Sequence, residues 1–210
     1  AFQGFSSKNI FSGFYNRLKN NPSEVAITDT HLNEKMSRQQ VDELISKLAS
    51  LLRYKFSIAP GCRVSISLSR SYLQLITIMA AWKCGALYIP INRKWSKEKV
   101  NYVVNDVNPD IHIDEDELGQ SSIKCVSISV LMDMVRDSEK HLNESFADPA
   151  LAAYIIYTSG TTGVPKGVAV SFENILALQS QLLKIWHRMK WPDHSSLLWN
   201  AEYNFDVSLI

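Results

Sequence analysis

The chain has 210 residues, 46% of them hydrophobic and 20% charged, with a formal net charge of +1. That length supports one sizeable core or two small ones, and the near-neutral balance leaves no electrostatic footprint for nucleic acid or an anionic membrane. The three cysteines, Cys62, Cys84 and Cys125, are scattered with no C-x-x-C pair, which argues against a disulfide framework or zinc site and fits small buried hydrophobes in a reducing cytoplasm. In chain order, no run reaches the length of a membrane span, and the first residues lack the order of a signal peptide. Residues 8–20 read as an amphipathic helix with Ile10, Phe11, Phe14 and Leu18 on one face, ended by Pro22. Residues 25–28 read as a strand and 29–35 as a polar turn. Ser37 with Gln40 forms a capping-box pattern, followed by Val41, Leu44, Ile45, Leu48 and Leu52 at helical spacing.

Pro60-Gly61 marks a turn, and 63–69 alternates with Val64, Ile66 and Leu68 on one side, a strand pattern. A helix over 72–83, closed by Gly85, leads to a strand over 86–91. Strand, helix and strand of these lengths make a βαβ unit and hence a parallel sheet. Ser96 caps the next helix, with Val100, Val103, Val104 and Val107 on its apolar stripe. Pro109 ends it, and 111–113 is a third strand. The acidic run over 114–117 reads as a solvated turn rather than a metal site. Residues 126–128 fit a strand, and the polar stretch 136–150 fits a surface linker. After a loop described below, Ser171 caps a helix over 172–189 whose buried side is Ile175, Leu178, Leu182, Ile185 and Trp186. Trp191-Pro192 breaks that helix before a strand over 196–200.

Residues 151–157 are a buried strand that breaks into the hydroxyls of Thr158, Ser159, Thr161 and Thr162 and the glycines Gly160 and Gly163. Pro165 and Lys166 close the loop, and Gly167 opens a further strand over 168–170. So few side-chain atoms let a ligand approach the backbone, and N–H groups, hydroxyls and one lysine suit phosphate oxygens. A plain hairpin with an exposed lysine is the alternative. The spacing is not that of a Walker A loop. Near the end of the chain stands Phe205-Asp206-Val207-Ser208. Asp206 could serve as a helix-terminal acid, or as the anion that a buried substrate ammonium requires.

The pattern Y-T-S-G-T-T-G-x-P-K-G, met without departure at residues 157–167, resembles the signature loop of the adenylate-forming superfamily. That group includes acyl-CoA ligases, luciferases and the amino-acid adenylation domains of nonribosomal peptide synthetases. Trp82 to Asn92 resembles a second family motif, with Asn92 where that motif has aspartate. Met36 to Val41 is a loose match to a helix motif and lacks its tyrosine, and a histidine common near Phe172 is absent. Phe205 to Ser208 resembles the F-D-x-S motif of amino-acid-activating members. The resemblance implies an α/β fold, an incomplete N-terminal large lobe with mostly parallel sheets flanked by helices. Residues 1–210 then correspond to the N-terminal part of an adenylation domain, truncated after F-D-x-S.

The resemblance also implies a reaction. A substrate carboxylate attacks the α-phosphate of ATP, and a thiol, usually the phosphopantetheine arm of a carrier protein, then takes the acyl group. Thr158, Ser159, Gly160, Thr161, Thr162, Gly163 and Lys166 would hold the nucleotide phosphates, with Lys166, Thr161 and Thr162 acting on the departing pyrophosphate. Asp206 would bind the α-ammonium of an amino acid, with Val207 and Ile210 at the start of the side-chain pocket. Mg²⁺ is expected with ATP, its ligands unassigned. Later family motifs, including the catalytic lysine of a C-terminal lobe, have no counterpart in the 210 residues. The chain by itself is therefore expected to be inactive and to need the remainder of the domain. A fragment of an acyl- or aryl-CoA ligase and a non-catalytic nucleotide-binding lobe of a split enzyme are the alternatives.

Overall fold

Ser37 ends a short hairpin and begins the first long helix, and both roles are visible in its hydrogen bonds. Its Oγ accepts from the Gln40 N–H at 3.2 Å, while Gln40 Oε1 accepts from the Ser37 N–H at 2.8 Å, the reciprocal capping box read from the sequence. The computed structural model describes residues 9–116, 124–159 and 164–190. The expected helix break at Trp191-Pro192 and the strand over 196–200 lie outside the described residues. Helix α1 (Ser12–Asn20) precedes strands β1 (Val25–Asp29) and β2 (Glu34–Ser37), which pair antiparallel, and helix α2 spans Arg38–Tyr54. The expected polar turn over 29–35 is thus only half turn. Asp29 Oδ1 accepts from the N–H groups of His31 and Leu32, both at 3.0 Å, and Asn33 takes a left-handed φ of 53°. This tight reversal leaves Glu34 onward free to pair with β1. On α2, Val41, Ile45, Leu48 and Leu52 are buried, each stabilising by about 1.5–3 kcal/mol relative to exposure.

Strands β3 (Arg63–Ser67), β4 (Leu87–Pro90), β5 (Ile111–Asp114), β6 (Cys125–Ser127) and β7 (Ala152–Ser159) run parallel, and β8 (Pro165–Ser171) is antiparallel at one edge. The spatial order is β6-β5-β3-β4-β7-β8. Helices α3 (Tyr72–Lys83), α4 (Lys97–Val107), α5 (Ile128–Arg136) and α6 (Phe172–Arg188) complete the described fold. One face of the sheet, including Val64, Ile66, Tyr88, Ile111 and Ile156, joins a core with α2, α3 and α5. The other face, with Leu87, Ile89, Ile91 and Tyr157, packs on Val103 and Val107 of α4. Ser65, between the apolar positions of β3, is also fully buried, and its Oγ meets His112 Nδ1 at 2.8 Å. A central strand covered on both faces needs such a partner for every polar side chain.

Three further features depart from the sequence expectations. Asp114 is not a solvated turn residue. It ends β5 at 8% exposure, with Arg93 Nη1 at 2.7 Å and His112 Nε2 at 3.4 Å. Burial opposes its charge, but His112 and the N–H groups of Glu115 and Asp116 hold its carboxyl below the usual range. Second, α5 follows β6 directly, with Ser127 Oγ accepting from the Val130 N–H at 3.4 Å and Ile128, Leu131 and Val135 buried. Third, α6 buries Phe172 and Ile175, whereas Leu178, Ile185 and Trp186 are 40%, 47% and 37% exposed. Residues 137–150 have neither helix nor strand. They are tied down where the Leu142 N–H donates to the Ser46 carbonyl and the Phe146 N–H to that of Lys83, both at 2.9 Å.

Asp29 also links the hairpin to the sheet layer, because its Oδ2 accepts from the Tyr72 N–H at the start of α3 at 2.9 Å. Burial pushes its pKa up, but the N–H groups of Leu32, Tyr72 and His31 outweigh that and depress it. A depressed folded-state pKa contributes stability that is present above the unfolded value and lost as pH falls through the folded one. Asp29→Asn in the full-length protein is therefore expected to cost about 1–2 kcal/mol at neutral pH. The deficit should shrink below about pH 4, where the unfolded carboxyl is protonated. Urea midpoints at the two pH values measure this, and an equal deficit at both would refute the linkage.

Candidate functional site

Strands β7 and β8, which flank the glycine- and hydroxyl-rich stretch in the sequence, pair as an antiparallel hairpin. Its root is fixed from several sides. β7 lies in parallel beside β4, with Tyr88 opposite Tyr154, and the Trp82 indole N–H donates to the Ala153 carbonyl at 2.8 Å. Trp82 also meets Phe172 edge to face, with ring centroids 5.9 Å apart. On the other side β7 pairs with β8 up to Thr158 with Lys166 and Ser159 with Pro165. Directly opposed residues of an antiparallel pair project to the same face, so the Thr158 hydroxyl and the Lys166 ammonium share one side of the hairpin, and both residues are exposed. No described carboxylate pairs with Lys166. A hydroxyl and an ammonium on one side of a hairpin can receive an anionic oxygen.

Five parallel strands place their carboxyl ends on one edge of the sheet, and in open α/β sheets that edge holds the ligand crevice. Here it carries Ser69 after β3, Asn92 and Arg93 after β4, Glu115 and Asp116 after β5, and Thr158 and Ser159 at the end of β7. β4 neighbours β7, so the Asn92 turn flanks the hairpin root. Asn92 Oδ1 accepts from the Lys94 N–H at 2.9 Å and its carbonyl from the Trp95 N–H at 2.9 Å. The position asks for a turn-forming acceptor, which asparagine meets without a charge. Arg93 is bound by three carboxylates, Asp114 at 2.7 Å, Asp116 at 3.1 Å and Glu115 at 3.4 Å. This cluster was not legible in the sequence, where Arg93 stands alone and its partners read as a solvated run.

Among the residues expected to form the site, Thr158 and Lys166 are brought together, and the backbone of Ser159 continues the pairing. Gly160, Thr161, Thr162 and Gly163 lie outside the described residues, as do Asp206, Val207 and Ile210. Among the described residues no group of three His, Cys, Asp or Glu side chains forms a metal site, and no helix is long and apolar enough to cross a membrane.

The fold is shared with solved structures. The N-terminal subdomain of Klebsiella oxytoca NpsA, in complex with 3-hydroxybenzoyl-AMSN, superposes with a TM-score of 0.71 at 24% identity, over 82% of this chain and 43% of that one. VinN in complex with 3-methylaspartate gives 0.74 at 23% identity, over 83% of this chain and 50% of that one. A family model described as AMP-binding enzyme matches residues 14–210, and the chain belongs to the AMP-binding enzyme family, a family of adenylate-forming ligases. Among its relatives is N-(5-amino-5-carboxypentanoyl)-L-cysteinyl-D-valine synthase of Amycolatopsis lactamdurans, 28% identical over 96% of this chain and 6% of that protein. Gramicidin S synthase 2 of Brevibacillus brevis is 29% identical over 93% of this chain and 4% of that protein. The chain thus spans a small part of these peptide synthetases and about half of the matched structures.

Proposed function

We propose that the protein activates the carboxylate of an amino acid as its aminoacyl-adenylate, using ATP, for transfer to the phosphopantetheine thiol of a carrier protein in the cytoplasm. The observation that carries this reading is the Y-T-S-G-T-T-G-V-P-K-G sequence beginning at the carboxyl end of β7 in a parallel sheet, with Thr158 and Lys166 paired across β7 and β8. A carboxylate oxygen bonds to the α-phosphorus, the bond from that phosphorus to the bridging oxygen breaks, and the electron pair leaves on pyrophosphate. Lys166 and the hydroxyls of Thr158, Ser159, Thr161 and Thr162 hold that growing charge, so catalysis comes from positioning and electrostatics. Mg²⁺ accompanies ATP in this reading. Residues 1–210 supply the N-terminal part of the domain, with 136–150 leading into the phosphate loop, and the C-terminal part completes it.

Asp206 is assigned to the α-ammonium, with Val207 and Ile210 opening the side-chain pocket. The support is the F-D-V-S sequence together with peptide-synthetase relatives. ATP–pyrophosphate exchange by the full-length protein tests the reading: at least one amino acid should drive exchange. Asp206→Ala should lower kcat/KM for that amino acid by about 10²-fold or more, the scale of a buried charge left without its partner, with the KM for ATP nearly unchanged. Exchange driven by fatty or aryl acids and by no amino acid would overturn it.

A further inference from the structure

One residue before the first hydroxyl of the loop, Tyr157 makes contacts that the reaction as read above does not use. Tyr157 is 5% exposed and clusters with Leu87, Ile89, Ile91, Val103 and Val107 on the α4 face of the sheet. Its hydroxyl donates to a carboxylate oxygen of Asp106, the penultimate residue of α4. Across the hairpin its partner is Gly167. A Cβ on Gly167 would stand 3.1 Å from Tyr157 Cζ and 2.9 Å from Ile155 Cγ2, so the ring lies over the glycine. Tyr157 is thus held by β8 beneath its ring and by α4 at its hydroxyl, and the chain continues directly into Thr158 and Ser159.

We propose that Tyr157 and Asp106 are positioning residues for the phosphate loop: the Asp106 carboxylate holds the Tyr157 hydroxyl, with Gly167 leaving room for the ring, and fixes the end of β7 from which the loop departs. The inference rests on the reading that this loop holds the phosphates of ATP. The bond is an attachment point between the hairpin and α4, in addition to the apolar packing that joins them. Burial and the neighbouring carboxylate push the Tyr157 phenol pKa up, so the hydroxyl keeps the proton it donates throughout the physiological range. Without the bond the hairpin root has more freedom, and ordering it against ATP costs binding free energy. That cost falls on ATP in the ground state and transition state alike, which raises its KM and leaves kcat in place.

The test is amino-acid-dependent ATP–pyrophosphate exchange by the full-length enzyme with Tyr157→Phe, Asp106→Ala, Asp106→Asn and the double variant Tyr157→Phe/Asp106→Ala. Tyr157→Phe and Asp106→Ala should each raise the KM for ATP by about ten- to thirtyfold, the scale of one charge-assisted hydrogen bond. The KM for the amino acid and kcat should stay within about twofold. Asp106→Asn keeps an acceptor and should restore most of the ATP affinity. The double variant should be no worse than either single one, because both remove the same bond. An unchanged KM for ATP in Tyr157→Phe overturns the proposal, as does an equal rise in both KM values with a lowered thermal midpoint, the mark of a general packing role. Lys166→Ala in parallel separates this from the underlying reading. If Lys166→Ala weakens ATP use and Tyr157→Phe does not, only the positioning role falls. If Lys166→Ala leaves ATP use unchanged, the phosphate-loop reading falls and takes the positioning role with it.

Discussion

Lys166→Ala in the full-length enzyme is expected to lower kcat/KM for ATP by about 10²–10³-fold, the range for removing one preorganised group that stabilises transition-state charge. Lys166 sits at the first residues of β8 opposite Thr158, exposed and with no carboxylate partner among the described residues. Among the described residues no carboxylate neutralises its charge, so an incoming polyanion can take it as a partner, and ATP binding itself would exclude the water around it. The loss should be the same whichever carboxylic acid is activated, since the pyrophosphate leaving group is common to all. Lys166→Arg keeps the charge but changes its shape and reach, and should recover part of the rate. Exchange measured against ATP concentration decides the matter: an unchanged ATP dependence in Lys166→Ala would remove the loop from the phosphate role.

Gly85→Ala is expected to destabilise the fold by about 2–4 kcal/mol, combining left-handed backbone strain with overpacking. Gly85 follows α3 with φ +74°, and a Cβ there would lie 2.4 Å from the Phe146 carbonyl oxygen and 3.2 Å from the Pro60 Cα. Both neighbours are backbone atoms, so no rotamer change relieves the collision. Gly61 provides the comparison, with φ +83° and nothing within 4 Å of its added Cβ. Gly61→Ala should therefore lose only the backbone part, about 1 kcal/mol. Thermal unfolding of the two variants separates the contributions, and a Gly85→Ala midpoint no lower than that of Gly61→Ala would show that the 137–150 segment yields without cost.

The elements that were legible in advance are those whose signals are local. Ser37 with Gln40, Ser96 and the helix over Tyr72–Lys83 are set by side chains within a turn of where they act, and each appears as read. β2 escaped because Glu34, Lys35, Met36 and Ser37 carry no strand pattern of their own, and only pairing with β1 makes them a strand. α5 escaped for a different reason. Val126, Ile128 and Val130 alternate like a strand, and that period competed with the helical spacing of Ile128, Leu131 and Val135. For α6 the apolar spacing was read correctly, but the sheet reaches only its first turn, so Leu178, Ile185 and Trp186 stay exposed. Asp114 was misjudged because its partner Arg93 arrives from the loop after another strand.

The sequence by itself determined the helix caps, the parallel α/β class and the Y-T-S-G-T-T-G-V-P-K-G family motif, because each is written in residues a few positions apart, where backbone geometry leaves few choices. Tertiary structure alone decided what those parts meet. It set the strand order that brings the Asn92 turn beside the β7–β8 hairpin, the Arg93 cluster on Asp114, and the Tyr157 hydroxyl on Asp106. Such contacts join residues that are distant along the chain, and their formation depends on how the crossover helices pack on the sheet, which no local pattern encodes.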